Sequence, residues 1–198
     1  NYKAMRQTIK RGLEQNAVNN GKVMHGWGDN KKWYIGSDND CDGKNRDGLT
    51  SNAFWVLSGM IDDSDVINKN DILKAYDRLD GKYGLKTFAP HFESDCTDVG
   101  RLSRLPKGTA ENGATYIHAT LFGIMSLFDM GESERAWGQL YKILPITHKF
   151  TSTSPFVMSN SYAENAEFDL DGESISDWFT GSGCVLLKTL YRKVFGIN

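Results

Sequence analysis

Apolar residues recur at helical spacing in several separate stretches of this chain, and polar, glycine-containing segments lie between them. The first stretch, Tyr2 to Gln15, is followed by Asn19-Asn20-Gly21, residues that favour the end of a helix. Side chains that can cap a helix stand before or at the start of several others. The pattern predicts helices over residues 2–15, 51–60, 71–79, 114–130, 133–144 and 184–195.

One of these stretches, Ala114 to Met130, is apolar on nearly every face. A helix of that kind is buried all round instead of lying at the surface. Gly131 predicts its end, Ser133 can cap the next helix, and Pro145 stops that one. The sequence therefore predicts a helical hairpin with a tight connection.

Long polar segments separate the predicted helices. Residues 23–49, 87–109 and 147–177 have no sustained period, apart from one short strand expected around Trp33-Tyr34-Ile35. A structureless loop of this length inside a compact domain is usually functional. Helix pairs joined by such loops predict an all-α fold, part of an (α/α)6 toroid or barrel, with its chemistry at the loop end.

Composition narrows the class of protein. The chain has 198 residues, enough for one domain or part of one, and its net charge of -2 disfavours nucleic acid as a partner. No apolar run is long enough for a membrane span, so no membrane association is expected. The cysteines Cys41, Cys96 and Cys184 show no C-x-x-C spacing, which makes a reducing cytoplasm the default location.

Aromatic residues make up 12% of the chain, and many of them stand beside Gly, Asp or Asn instead of in apolar runs. The apolar faces of sugar rings stack on aromatic planes, so this pattern is compatible with a carbohydrate ligand. Ordinary core aromatics explain the same composition equally well. The aromatic content alone does not decide between the two.

An acidic loop holds Asp38, Asp40, Asp42 and Asp47, with Gly43 after the third of them. Crowded carboxylates either bind a cation or raise one another's pKa. The alternation resembles the start of a calcium loop, but the glutamate that closes such a loop is absent. A calcium site, a solvated loop and a catalytic acid are the three interpretations, and periodicity does not choose among them.

Two further segments carry candidate chemistry. Glu111 and His118 flank the start of the buried helix seven residues apart, a spacing that predicts one shared helix face. A single histidine on an apolar helix is more often a core residue than a ligand. Thr180-Gly181-Ser182-Gly183 opens the last helix, where free backbone N–H groups favour an anion, although such a turn is a weak phosphate signal by itself.

Taken together, these segments resemble the inverting phosphorylases that act on cellobiose, chitobiose and laminaribiose, with the related β-1,3- and β-1,2-oligoglucan phosphorylases. The resemblance covers about residues 33 to 195. It rests on the order of four motifs along the chain. These are Asp42-Gly43-Lys44-Asn45-Arg46, the segment Pro106 to Ala119 ending in Glu-Asn-Gly-Ala-Thr-Tyr-Ile-His-Ala, Gly131 to Trp137, and Trp178-Phe179-Thr180-Gly181-Ser182.

The resemblance implies a role for each matching residue. Asp42 is expected to be the general acid, with Asp40 as its rival because the family's Trp-Asn-Asp is replaced here by acidic alternatives. The implied phosphate-binding residues are His118, Thr180 and Gly181, and the implied sugar-binding residues are Glu111 and Tyr116. No metal and no organic cofactor are implied, since inorganic phosphate is itself a substrate.

The implied reaction is inverting phosphorolysis of a β-glucan oligosaccharide, β-1,3-linked by preference and β-1,2-linked next, giving α-glucose 1-phosphate. One acid suffices, because phosphate is already a nucleophile, whereas an inverting hydrolase needs a second carboxylate for water. Ala110 and Ala114 depart from the family's pattern and imply a different acceptor subsite from that of cellobiose phosphorylase.

Residues 1–198 are expected to be the C-terminal part of one α/α-barrel catalytic domain, because a full barrel with the family's β-sandwich domain needs a longer chain. The expected partners are a β-linked oligosaccharide and phosphate, with either a chain that supplies the upstream half of the barrel or a second copy. Two alternatives stay open. One is an inverting hydrolase using Glu164, Glu167 or Glu173, and the other is a non-catalytic carbohydrate-binding module, calcium-assisted through the acidic loop.

Overall fold

A helix buried on all sides forms the centre of the structure, a computed structural model that describes residues 1–27, 33–36, 42–148, 155–176 and 180–197. The helices of these ranges are α1 (Tyr2–Asn16), α2 (Leu49–Leu57), α3 (Met60–Asp63), α4 (Lys69–Leu79), α5 (Ile117–Asp129), α6 (Ser133–Ile143) and α7 (Thr180–Thr189). Short 3₁₀ helices cover Thr97–Arg104 and Pro145–Thr147, and a π-helical segment, Leu190–Val194, extends α7.

Helix α5 packs against α2, α6 and α7. From Ile117 to Phe128 none of its residues is exposed, as the apolar sequence predicts. Its side chains join those of α2, α4 and α6 in the main apolar core. Gly131, with φ +78°, lies in the short connection between α5 and α6. The two helices form the predicted hairpin.

The predicted helix boundaries are close to those observed, with informative exceptions. Asn68 caps α4 and forms a capping box with Asp71, so Asp71 is the third residue of that helix instead of its first. The predicted helix through Met60 is two helices, because Gly59, with φ +75°, separates α2 from α3. The last helix begins at Thr180, within the Thr-Gly-Ser-Gly turn.

Short antiparallel strands fill the segments that the sequence leaves as loop. The expected strand around Trp33-Tyr34-Ile35 is confirmed, and the others are two- or three-residue pairs without a readable period. They are β1 (Val18–Asn19), β2 (Lys22–Val23), β3 (His25–Trp27), β4 (Trp33–Ile35), β5 (Asp47–Gly48), β6 (Asp80–Gly81), β7 (Gly84–Leu85), β8 (Phe88–Ala89), β9 (Thr115–Tyr116), β10 (Ser161–Tyr162) and β11 (Ser174–Ile175).

Two of the strand pairs, β5 with β8 and β9 with β10, join segments that are distant in sequence, whereas most of the others are local hairpins. Strand β5 pairs with β8, while β1 pairs with β2, β3 with β4 and β6 with β7. Strand β10 lies between β9 and β11, and its Ser161 stands opposite Tyr116 at the entrance to α5. Helices α2, α4, α5 and α6 supply most of the main apolar core, which confirms the helical class. Membership of a closed toroid stays a prediction.

The cysteines and the helix lengths bear on the expected environment. Cys96 is buried and disulfide-bonded, whereas Cys184 is free and exposed. Disulfides persist mainly in oxidising compartments, so this bond lends no support to the cytoplasmic location, which stays a prediction. Within the described ranges, no helix has the length and apolar character that crossing a bilayer requires.

Helix α1 presents an apolar stripe that this chain leaves uncovered. Tyr2, Met5 and Ile9 are all exposed, and together with Leu13 they follow helical spacing along one side. This stripe lines a groove of about 290 Å³ that also contacts Met60. A surface of this kind marks a place where another protein segment packs.

We predict that the 198-residue chain self-associates through the apolar stripe of α1. A lysine at Ile9 would introduce a charge into that contact, so Ile9→Lys is expected to weaken the association at least tenfold, which corresponds to about 1.4 kcal/mol. Ile146, at 71% exposure a more exposed isoleucine outside the groove, supplies the control Ile146→Lys. Sedimentation velocity measures both, and equal effects of the two substitutions would contradict the prediction.

Candidate active site

A pocket of about 270 Å³ opens where α5 begins. Its walls come from the start of α2, the segment between β7 and β8, the turn before β9, strand β9 itself and the first turns of α5. The residues that line it are Thr50, Thr87, Glu111, Tyr116, His118, Ala119 and Phe122. Three of the residues expected to bind substrate therefore share one pocket.

Glu111 reaches the pocket from a tight turn fixed by its neighbour. Asn112 is fully buried, and its main-chain N–H donates to the carbonyl of Thr109 at 2.8 Å. Ala110 has φ +43° and Gly113 φ +82°, which give the turn its sharp reversal. The Glu111 carboxylate accepts a hydrogen bond from Arg101 Nη2 at 2.8 Å, so a cation at the rim orients it.

His118 lies in the first turn of α5, beside the beginning of α7. Its ring stacks on Phe122 at 5.1 Å between centroids. A Cβ added to Gly181 would lie 3.5 Å from His118 Cε1, so the two residues are near contact. The main chain of α7 starts at Thr180, whose side chain lies outside the described residues.

This juxtaposition is compatible with an anion ligand. The first N–H groups of a helix have no partner within the helix and carry its positive dipole end. An imidazole next to them adds a donor, and together they suit a phosphate oxygen. Glu111, Tyr116, His118 and Gly181 are thus brought together at one end of α5.

The reason given by the sequence for pairing Glu111 with His118 is wrong. Glu111 is not on a helix, because α5 begins only at Ile117 and strand β9 intervenes. The two residues meet because the turn around Asn112 folds back against the start of α5. Thr50, Thr87, Phe122 and the rim residue Arg101 also belong to the site, and no local pattern identifies them, since they come from separate elements.

Asp42 lies in a different environment from the one expected of an acid. Its carboxylate accepts hydrogen bonds from Arg46 Nη1 and Nη2, each at 2.7 Å. These bonds, helped by the main-chain N–H of Lys44 at 3.2 Å, hold the pKa of the Asp42 carboxyl far below its ordinary value. A general acid must hold its proton near neutral pH, so this geometry speaks against that role.

The other interpretations of the acidic loop rest on residues besides Asp42. Asp40 and Asp38 lie outside the described residues, so the acid and calcium interpretations that rest on them stay predictions. Asp47 pairs with Arg78 and Lys22. Across the described ranges, no group of three potential ligands suited to a metal ion occurs.

The carboxylates proposed for a hydrolase lie apart from the pocket lining. Glu164 accepts from the main-chain N–H of Lys82 at 3.0 Å and faces Lys86 Nζ at 3.5 Å. Glu167 and Glu173 are exposed. Among the described residues that line the pocket, Glu111 is the one carboxylate. A second carboxylate to activate water is therefore not provided by these residues in this arrangement.

The site is therefore a small pocket in a helical domain, to which a carboxylate, a phenol and an imidazole contribute, and it lies near the start of another helix. Comparison with known proteins defines the class further. The catalytic domain of the glycosyl hydrolase 94 superfamily matches residues 1–196, and the chain belongs to that family.

Curated relatives share parts of this chain. A solabiose phosphorylase of Paenibacillus borealis is 27% identical over 87% of the chain and 23% of its own length. An N,N'-diacetylchitobiose phosphorylase of Vibrio furnissii is 32% identical over 61% of the chain and 16% of its own length. The cyclic beta-(1,2)-glucan synthase NdvB of Rhizobium meliloti is 24% identical over 97% of the chain and 7% of its own length. The chain thus spans less than a quarter of these relatives.

The Asp42–Arg46 pair predicts a particular dependence of stability on pH. Because the pKa of Asp42 is lowered in the folded state, the ion pair stabilises the fold fully above the carboxyl's ordinary pKa. Its contribution is lost as the pH falls through the lower, folded value. We expect the free energy of unfolding to fall less between about pH 5 and pH 2 in Asp42→Asn than in the wild type.

Urea unfolding at a series of pH values measures this difference. Asp65→Asn, which removes an exposed carboxylate, serves as the control and should keep the wild-type slope. Parallel curves for Asp42→Asn and the wild type would show that the ion pair does not titrate as the geometry requires.

Proposed function

We propose that this chain forms the phosphate- and acceptor-binding part of an inverting glycoside phosphorylase. The reaction transfers a β-linked glucosyl residue to inorganic phosphate and gives α-glucose 1-phosphate with a sugar shortened by one unit. The observation that carries the proposal is the meeting of His118, the start of α7 and Glu111 around one pocket. Family membership and the names of the relatives support it.

In the proposed reaction, phosphate binds between His118 and the first N–H groups of α7. Those donors stabilise the negative charge of the phosphate oxygens and leave one oxygen free to attack the sugar. The family resemblance also implies Thr180 as a phosphate-binding residue. Because phosphate is already ionised, this side of the pocket needs no general base, which agrees with the lack of a second carboxylate among its described lining residues.

Glu111 and Tyr116 form the sugar side of the pocket. A carboxylate accepts hydrogen bonds from sugar hydroxyls, and the phenol of tyrosine both donates and accepts. Arg101 directs the Glu111 carboxylate through a hydrogen bond of 2.8 Å between Nη2 and Oε1. In this proposal, the two side chains bind hydroxyl groups of the acceptor sugar. They thereby determine which acceptors the enzyme uses.

The proton donor of the proposed reaction is a different carboxyl from Asp42. Arg46 keeps Asp42 ionised, and an ionised carboxylate has no proton to give to the glycosidic oxygen. Asp40 is the candidate within this chain. The other source is a carboxyl outside it, since the chain covers less than a quarter of the length of the relatives.

The proposed partners also follow from the small share of the relatives' length that this chain covers. In the complete protein, a further segment of the domain is proposed to cover the apolar stripe of α1 and to complete the barrel, so self-association through this stripe is expected only of the 198-residue chain on its own. The linkage is proposed as β-1,3 by preference and β-1,2 as the second choice. The similarity to a cyclic beta-(1,2)-glucan synthase supports the second choice. No organic cofactor is included in the proposal, because phosphate supplies the nucleophile.

We predict that His118→Ala in the complete protein lowers kcat/KM for phosphate about a hundredfold, because one donor to the phosphate is lost. His148→Gln, at a half-buried histidine outside the pocket lining, should stay near the wild type. The assay follows the formation of glucose 1-phosphate from β-1,3- and β-1,2-linked glucosyl oligosaccharides over a series of phosphate concentrations.

Three results would replace the proposal. Sugar cleavage that is independent of phosphate identifies a hydrolase. Sugar binding without turnover in the complete, folded protein identifies a binding module. A His118→Ala variant with unchanged phosphate kinetics removes His118 from the phosphate site.

A further inference from the structure

Arg46 is a fully buried cation that links two separate loops. Its guanidinium pairs with both oxygens of Asp42, while its Nε donates to the carbonyl of Pro90 and its Nη2 to that of His91, both at 2.8 Å. The guanidinium carbon also lies 3.7 Å from the centroid of the Phe92 ring. A buried charge is tolerated when it is paired and hydrogen-bonded in this manner.

The segment held by Arg46 is joined in turn to the turn that carries Glu111. Phe92 is buried, and its main-chain N–H donates to Asn112 Oδ1 at 2.8 Å. The Asn112 amide donates back to the carbonyl of Phe92 at 3.1 Å and to that of Leu105 at 3.0 Å. Asn112 is thus fixed at three points, and Glu111 is the residue directly before it.

These contacts form a continuous series from Asp42 to the turn that carries Glu111. Without Asp42, the buried Arg46 has lost the two strongest of its described hydrogen bonds, those to a charged acceptor. The guanidinium would move toward water or draw water in, and the carbonyls of Pro90 and His91 would lose their anchor. The segment carrying Phe92 then no longer presents its N–H and carbonyl to Asn112 in the same place.

We propose that Asp42 is a positioning residue, which with Arg46 holds Glu111 in the acceptor side of the pocket through Phe92 and Asn112. The inference rests on the proposed function for its kinetic consequences. It assigns to Asp42 a task that requires an ionised carboxylate, whereas a general acid requires a protonated one. The two roles therefore predict different responses to substitution.

The kinetic test uses the complete protein in the synthetic direction, with glucose 1-phosphate and a β-linked glucosyl acceptor. Asp42→Asn is expected to raise the acceptor KM at least tenfold, to change kcat by much less, and to leave the acid limb of the pH–rate profile in place. Asp42→Glu, which can still pair with Arg46, should recover most of the acceptor affinity. Asp77→Asn, which removes an aspartate paired with Arg135 between α4 and α6, is the control and should match the wild type.

A general acid at position 42 would give another result. The carboxyl that protonates the glycosidic oxygen in phosphorolysis acts in synthesis as the base that takes the acceptor's proton. Its loss lowers kcat by about 10² to 10⁴ and removes the pH limb that reports its pKa, with little change in the acceptor KM. That outcome overturns the inference. So does an Asp42→Glu variant with acceptor kinetics as poor as those of Asp42→Asn.

A second measurement separates the inference from the proposed function. Hydrogen exchange of the main-chain N–H groups of Phe92 and Asn112 is expected to be at least tenfold faster in Asp42→Asn than in Asp77→Asn. This expectation holds whether or not the protein is a phosphorylase. Unchanged exchange in a folded Asp42→Asn protein overturns the positioning role. If Asp42→Asn does not fold, the comparison is made with Asp42→Glu, in which fast exchange at both amides would contradict the anchor.

If the wild-type protein shows no phosphorylase activity while the exchange result holds, only the proposed function fails. If the activity is present and exchange is unchanged, only the positioning role fails.

Discussion

The burial of α5 on every side is the constraint on which the rest of the structure depends. Because the residues of this helix from Ile117 to Phe128 are buried or half-buried, α2, α6 and α7 pack around it, and the segments between them meet at its ends. The N-terminal end carries His118 in its first turn, next to the start of α7. The packing of this helix thereby fixes where the pocket forms.

Loops reach that end of α5 through side chains that hydrogen-bond to main chain. Asn112 joins two segments twenty residues apart in sequence, and Arg46 joins its own loop to the segment around His91. Each bond to a buried carbonyl replaces one that water would otherwise make, so the loops gain fixed positions without a regular strand. This explains how polar segments without a sustained period can hold Glu111 in a defined place.

The parts of the fold that sequence reasoning predicts are those with local causes. The apolar period of α5, the turn at Gly131 and the short strand β4 all follow from neighbouring residues. The two-residue strands do not, because two residues carry no period. The Asp42–Arg46 pair is four residues apart and visible in the sequence, but its burial depends on carbonyls more than forty residues away. Grouping Glu111 with His118 was right, although the helix face offered as the reason does not exist.

The central claim is that His118 and the start of α7 bind phosphate beside the sugar pocket. Nuclear magnetic resonance of the complete protein, with isotope-labelled imidazoles, tests it directly, because the chain has four histidines at different sites. The account predicts that inorganic phosphate shifts the ring signals of His118, with those of His25, His91 and His148 unaffected. Phosphate that saturates the protein while leaving His118 unchanged would contradict the account.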